Sequence, residues 1–308
     1  MSIINKLLRF QKVYIFFISF ILFIIIFSTS YLQANTFKVP NIQISSAFKL
    51  NFNKSRVIDK GFQISFLNLL TMITTSGDKN KIKNIPIKEL KSMIDSFTIS
   101  DEKFINNEYF AKLETSFNKK KFLNYLERKN IFPSMPIKNK VLLIPILVDI
   151  ETDNIYLFNE NIFYKKWNDE KKNYQLLDYL LPSEDLEDLI ELQKISKDIE
   201  TYDFSNLINK YDIKDSIILI IYKADNSIRT LSKINLNNTL KIQNKNYSKI
   251  DILNENDFSD IVKSLKQIYE DQWKKNNEIN TSIKLPITIS INSKKLKKLW
   301  SWKERLIV

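Results

Sequence analysis

The densest group of residues able to do chemistry is acidic: Glu184, Asp185, Glu187, Asp188 and Glu191. Carboxylates at such density are what a hard divalent cation takes as ligands. These five also follow Pro182-Ser183, and acids in the first turn of a helix answer the positive end of its dipole. No glycine lies near them to shape a calcium loop, so a helix start is the simpler reading. Asp149, Glu151 and Asp153 follow an apolar run, a place where α/β proteins often hold ligands. A polar turn between strands explains them more simply. Asp101-Glu102 and Glu108 are read as flanking a loop. Ser293-Lys294 and Ser264-x-Lys266 are the nearest approach to a serine–lysine nucleophile, and neither fits a motif. Trp300-Ser301-Trp302, among Lys297, Lys298, Lys303 and Arg305, could stack bases or rest on a membrane surface. One packed face of a helix accounts for the same pattern.

Absent residue types narrow the chemistry further. The 308 residues contain no Cys and no His. That removes disulfides, thiolate nucleophiles, Cys/His zinc sites and imidazole acid–base catalysis. The two glycines, Gly61 and Gly77, are too few and too far apart for a phosphate-cradling loop. No catalytic, metal or cofactor-binding residue is therefore assigned, and the chain is read as a non-enzyme. Hydrophobic residues at 44% and charged residues at 27% make a globular mixture. The net charge of +12 is spread along a chain rich in Lys, Asn and Ile throughout. Such a bias does not point to nucleic acid, and no nucleic-acid partner is expected.

The elements that would position these groups begin with a leader. Lys6, Arg9 and Lys12 precede an apolar run from Val13 to Phe27, followed by Ser28-Thr29-Ser30 and Ala34. This is the plan of a secretory signal, so residues 1–34 are expected to be a signal peptide, or an uncleaved inner-membrane anchor, and the bulk to be periplasmic.

A first module is expected over 45–130. Residues 35–45 read as an extended arm. Phe48, Leu50 and Phe52 alternate as a half-buried strand would. Asn53 or Ser55 caps a helix carrying Ile58, Phe62, Phe66, Leu69, Leu70 and Ile73, which Gly77 stops. Gly61 inside it implies close packing on a sheet. Pro86 to Phe97 reads as a short helix, Tyr109 to Phe117 as a strand, and Phe122 to Leu126 as a helix face. The segment 131–139, with Pro133 and Pro136, is the expected boundary.

A second module is expected over 139–250. Val141–Val148 and Ile217–Tyr222 are continuous apolar runs, as strands buried on both faces require. Pro145 removes a ladder donor, so it should sit at a bulge or where pairing ends. Between these strands lie Ile155 to Phe158, a short helix with Phe163, Tyr164 and Trp167, and a strand ending at Pro182. A helix opened by Ser183 then presents Leu186, Leu189, Ile190 and Ile195, and Leu207 to Tyr211 form another. Asp225-Asn226 and Asn237-Asn238 turn a meander of strands. Phe258 to Trp273 form the best amphipathic helix. With Leu285–Ile291 as a strand and Leu296–Leu306 as a helix, residues 254–308 read as the start of a third, incomplete module. The fold class is thus α/β (α+β): tandem small mixed-sheet modules with helices packed on them.

An ordered set of residues resembles an uncharacterised family, the domain-of-unknown-function 2066 family of alphaproteobacterial type. The set comprises the run Val141–Asp149, then Asn161, Phe163 and Trp167 as N-x-aromatic-x-x-x-W, then Pro182, Asp185, Leu186 and Asp188 as P-x-x-D-L-x-D. Phe97-x-Ile99-x-Asp101-Glu102 upstream also resembles it. Ile162 and Phe163 stand where the family pattern has Pro and Trp. The resemblance implies an exported envelope role and transfers no activity or cofactor. Its six motif positions, Asn161, Phe163, Trp167, Pro182, Asp185 and Asp188, are the candidate surface or functional positions. The expected function is a non-catalytic interaction or envelope-assembly module with an envelope protein partner. The alternatives are a binding module for an anionic envelope ligand, with membrane-surface contact, and a carboxylate- or Ser/Lys-based hydrolase.

Overall fold

A computed structural model describes residues 37–169, 174–251 and 254–279. The leader and the expected strand and helix after residue 280 lie outside the described residues. Two mixed layers of sheet and helix make an α/β structure.

The N-terminal sheet is antiparallel, in the order β1 (Lys38–Ala47), β3 (Glu108–Phe117), β2 (Ile94–Ile105). Helix α1 (Lys54–Ile73) lies over β1 and β3 and buries Phe62, Phe66, Leu69, Leu70 and Ile73 against Ile44, Leu113 and Phe117. Asn53 caps it by accepting from the Arg56 N–H. Gly61 faces the sheet: a Cβ there would stand 2.6 Å from Leu113 Cδ2 and 3.0 Å from Ile44 Cγ2. Short helices α2 (Ser76–Ile82), α3 (Ile87–Ser92) and α4 (Lys119–Arg128) close this core.

Several expectations fail here for identifiable reasons. The strand lies at 38–47, not 48–52. Ala47 pairs with Glu108, the first residue of β3, so the ladder ends there, and one further main-chain bond, from Phe48 N to Asn107 O in the turn, closes it. Residues 35–45 are consequently not a plain arm: β1 begins at Lys38 and keeps a register irregularity between Val39 and Ile42, around Pro40. The expected helix over 86–97 ends at Ser92, and β2 occupies the supposed loop around Asp101-Glu102. Gly77 does not stop α1. The helix ends at Thr74, whose N–H and hydroxyl both donate to Leu70 O, and Gly77 lies within α2. Among the described residues most left-handed positions fall on Asn and Asp, as at Asn106-Asn107 and Asn237-Asn238, where φ runs from 51° to 59°; Phe158 and Lys249 are the others, and no glycine has positive φ.

The second sheet has the order β5 (Asn154–Tyr156), β4 (Asn139–Asp149), β7 (Ser216–Ala224), β8 (Ser227–Leu236), β9 (Thr239–Ser248). β6 (Leu177–Leu180) pairs with the start of β4. β4 and β7 run parallel at its centre, and β7, β8 and β9 form an antiparallel meander. Alternate residues of β4 and β7 feed two cores. Val141, Leu143, Ile217, Leu219 and Ile221 meet α8 (Glu255–Asn276) on one face. Leu142, Ile144, Ile146, Ile218 and Ile220 meet α6 (Leu186–Lys194) and α7 (Ser205–Asn209) on the other. That double burial is why both runs lack alternation. Pro145 pairs regularly with Leu219 on the β7 side. On the other side, β6 covers residues 139–142 and β5 covers 147–149, so Pro145 sits in the gap between them.

Candidate functional site

The six motif positions resolve into two groups with structural work to do. Asn161 is fully buried at the start of α5 (Ile162–Lys166). Its Oδ1 accepts from Phe163 N at 2.9 Å, capping the helix. Its amide donates to Pro145 O at 3.0 Å and to Tyr156 O at 3.3 Å. It thereby fills the gap that β5 and β6 leave beside Pro145. Phe163 and Trp167 are fully buried in the core beneath α8. These three are interior residues, not surface positions.

Pro182, Asp185 and Asp188 form the second group. Pro182 O accepts from the Tyr164 hydroxyl at 2.8 Å. Asp185, not Ser183, caps α6 by accepting from Glu187 N and Asp188 N. Lys210 Nζ bridges Asp185 at 2.8 Å and Asp188 at 2.6 Å. Those hydrogen bonds hold the Asp185 carboxyl below the usual carboxylate range, the Lys210 bond being the largest influence. Glu184 accepts from Asn159 and Glu191 from the Tyr202 hydroxyl. The acidic cluster is therefore a helix start in which Asp185 caps and Glu184, Asp185, Asp188 and Glu191 each have a partner, and among the described residues no three acidic side chains gather at one point. Leu186 and Ile190, expected on the buried face of α6, are exposed. Asp149 likewise works locally, accepting from Glu151 N and Thr152 N across the turn and pairing with Lys223.

Spacing did not reveal the most unusual electrostatics, which lie along α8. Lys266, Glu270 and Lys274 recur every four residues on one face and are all buried. Lys266 donates to Trp167 O at 2.7 Å and lies over the Trp167 ring. Glu270 Oε1 accepts from Leu176 N at 2.9 Å and Leu177 N at 2.8 Å, while Oε2 has no hydrogen-bond partner. Lys274 Nζ lies 4.0 Å from that Oε2 and donates to Thr71 O at 2.6 Å. Asp271, one residue along, accepts from the Ser76 N–H and hydroxyl at 2.8 Å and 2.5 Å. The arrangement follows the helix dipoles. A cation meets the carbonyl end of α1, and a carboxylate meets the N–H end of α2. Burial pushes the Glu270 carboxyl up and pulls the Lys274 ammonium down. Around these groups is a cavity of about 200 Å³, also lined by Lys79, Lys263 and Gln267. Lys79 donates to Thr71 Oγ1 there. The named bonds join the helices of the N-terminal layer to α8.

A different kind of surface lies at the far end of the N-terminal sheet. The segment after β1 folds back on the β2–β3 hairpin, with Phe48 N donating to Asn107 O at 2.7 Å. The Phe48 and Phe104 rings meet at 5.1 Å, Phe104 and Tyr109 at 5.1 Å, and Phe52 and Tyr109 at 5.3 Å. Tyr109 is fully buried, whereas Phe104 is 57% exposed and Leu50 wholly so. Phe48 is exposed beside Phe104, while Ile105, the next residue of β2, is exposed on the opposite face of the sheet. The alternation of Phe48, Leu50 and Phe52 thus marks this aromatic end, not a strand.

The chain matches no family model and no curated protein.

Proposed function

We propose that this is an exported envelope protein that acts by holding a partner protein and carries out no reaction itself. The observation that carries this reading is the exposed aromatic end formed by Phe48 and Phe104, with Leu50 exposed in the turn between Phe48 and Phe52. Contiguous apolar side chains rimmed by polar ones mark interaction surfaces on soluble domains, and aromatic residues are what such surfaces concentrate. Ring contacts running down to the buried Tyr109 hold Phe104 and Phe52 in place, so binding costs little side-chain entropy. The sequence of residues 1–34 supports export, and the resemblance to the domain-of-unknown-function 2066 family supports an envelope role. Crosslinking with mass spectrometry in native envelopes tests this. A reproducible protein partner linked at Lys49, Lys54 or Lys103, around the aromatic end, supports the reading. Recovery of the protein alone, with salt-sensitive binding to vesicles, contradicts it.

A further inference from the structure

Edge strands in the two sheets are not alike. β1 has Pro40 and a register irregularity, and β2 has irregularities between Ile94 and Ser96 and between Ser100 and Lys103. Such breaks are how edges resist pairing with other chains. β9 has none. Its ten residues pair with β8 one for one, from Leu236↔Thr239 to Ser227↔Ser248, and among the described residues no strand pairs with its outer side.

The hairpin fixes which groups that edge offers. Asn237 and Asn238 both have positive φ, the two-residue turn that makes its flanking residues, Leu236 and Thr239, exchange hydrogen bonds. Pairs in an antiparallel ladder alternate from there. The main-chain groups of Leu240, Ile242, Asn244, Asn246 and Ser248 therefore point outward. On one face of β9, Leu240 and Ile242 are 65% and 58% exposed. On the other face stand Lys241, exposed, and Lys245, half-buried over the Tyr247 ring with its Nζ donating to Ser264 Oγ. From Ser227 to Lys249 the chain carries Arg229, Lys233, Lys241, Lys245 and Lys249 and no acidic residue. Arg229 is paired with Glu200, but among the described residues Lys241, Lys245 and Lys249 form no ion pair.

The geometry points to β9 as the receiving edge for an extended segment of a partner protein, one that alternates acidic and apolar residues and adds as a further strand. This rests on the reading of the chain as an interaction module and names the chemistry of one partner. Main-chain hydrogen bonds supply the attachment, acidic side chains answer Lys241 and Lys245, and apolar ones cover Leu240 and Ile242. A second copy is a poor occupant, because its β9 would bring the same lysines. Residues 280–308 are a poor match as well: their expected strand, Leu285–Ile291, has no acidic residue to answer Lys241, and Glu304 is the one acid in the segment.

The test titrates the full chain with a peptide of alternating Val and Glu, with a Val–Lys peptide as control. Asn244→Pro removes one outward N–H and leaves the β8 ladder intact. The double variant Lys241→Glu/Lys245→Glu reverses both charges, at the exposed Lys241 and at the half-buried Lys245 that donates to Ser264 Oγ, and unchanged urea unfolding shows that the fold is kept. The expected result is binding of the Val–Glu peptide, weakened at least tenfold in both variants, with the double variant now taking the Val–Lys peptide. Amide exchange should slow at Leu240, Ile242, Asn244, Asn246 and Ser248 on binding. No binding at millimolar peptide, or equal binding by all variants, overturns the proposal. Binding to anionic phosphatidylglycerol vesicles that needs the lysines and ignores Asn244→Pro assigns the face to a membrane and also overturns it. A concentration-dependent dimer abolished by Asn244→Pro assigns it to a second copy and does the same. None of these failures touches the aromatic end, whose crosslinks stand or fall separately.

Discussion

Replacing Lys274 by Met should be among the most damaging single substitutions in the chain, and pairing it with Glu270→Gln should reverse most of the damage. Lys274 and Glu270 are both over nine-tenths buried, and Lys274 Nζ lies 4.0 Å from Glu270 Oε2, which has no hydrogen-bond partner. Lys274→Met leaves that carboxylate buried without its counter-charge, a loss of about 3–5 kcal/mol. It also removes the 2.6 Å bond to Thr71 O at the end of α1. In Glu270→Gln the side-chain carbonyl still accepts from Leu176 N and Leu177 N, so the neutral pair keeps those bonds without a buried charge. The double variant should unfold within about 1–2 kcal/mol of wild type, since uncharged groups often replace a buried pair at little cost. Equilibrium urea unfolding of the four proteins gives the cycle. A coupling of roughly 2 kcal/mol or more is expected. Additivity within about 0.5 kcal/mol, or a loss below about 1 kcal/mol for Lys274→Met alone, would refute the account of this junction.

Because burial raises the Glu270 carboxyl, its contribution is complete below the ordinary glutamate value and is lost as pH rises through the folded value. The stability of wild type minus that of Glu270→Gln should therefore fall as pH increases from the acid range, and a flat difference contradicts the assignment. Gly61→Ala gains about 1 kcal/mol of helix propensity but drives a Cβ to 2.6 Å from the fully buried Leu113, so the expected outcome is a net loss of up to about 2 kcal/mol. A raised melting temperature for that variant would refute the close approach. Asn107→Gly, at the second left-handed position of the β2–β3 turn, should stabilise by about 0.5–1 kcal/mol in a thermal melt, and a lowered midpoint would count against that turn. Asp185→Ala removes a helix cap and one partner of Lys210, and should cost about 1 kcal/mol in urea without altering partner binding.

The legible parts of the fold were those with a simple burial pattern. Val141–Val148 and Ile217–Tyr222 are apolar throughout because both faces of the central strands are covered, and α8 shows its stripe because one face packs on that sheet. β2 escaped notice for the converse reason. It is an edge strand with most residues exposed, so Asp95, Ser96, Ser100, Asp101 and Glu102 break any alternation. Yet Asn106-Asn107 was the same turn signal that Asn237-Asn238 supplied. The candidate positions fared unevenly. Asn161 could be seen as unusual but not as the plug beside Pro145, which depends on where β5 and β6 stop. The charges on α8 look like a solvated helix face at their spacing. Only the end of α1, some two hundred residues away in the chain, makes Lys274 a buried group.

The central claim, that the protein works by holding a partner at its aromatic end, is tested most directly by placing a photo-crosslinking residue at Leu50 in cells, with Lys197, exposed near the end of α6, as control. A discrete protein adduct is expected from Leu50, lost in Phe104→Asp, and none from Lys197. Equal adducts from both positions, or an adduct from Leu50 to lipid alone, would contradict it.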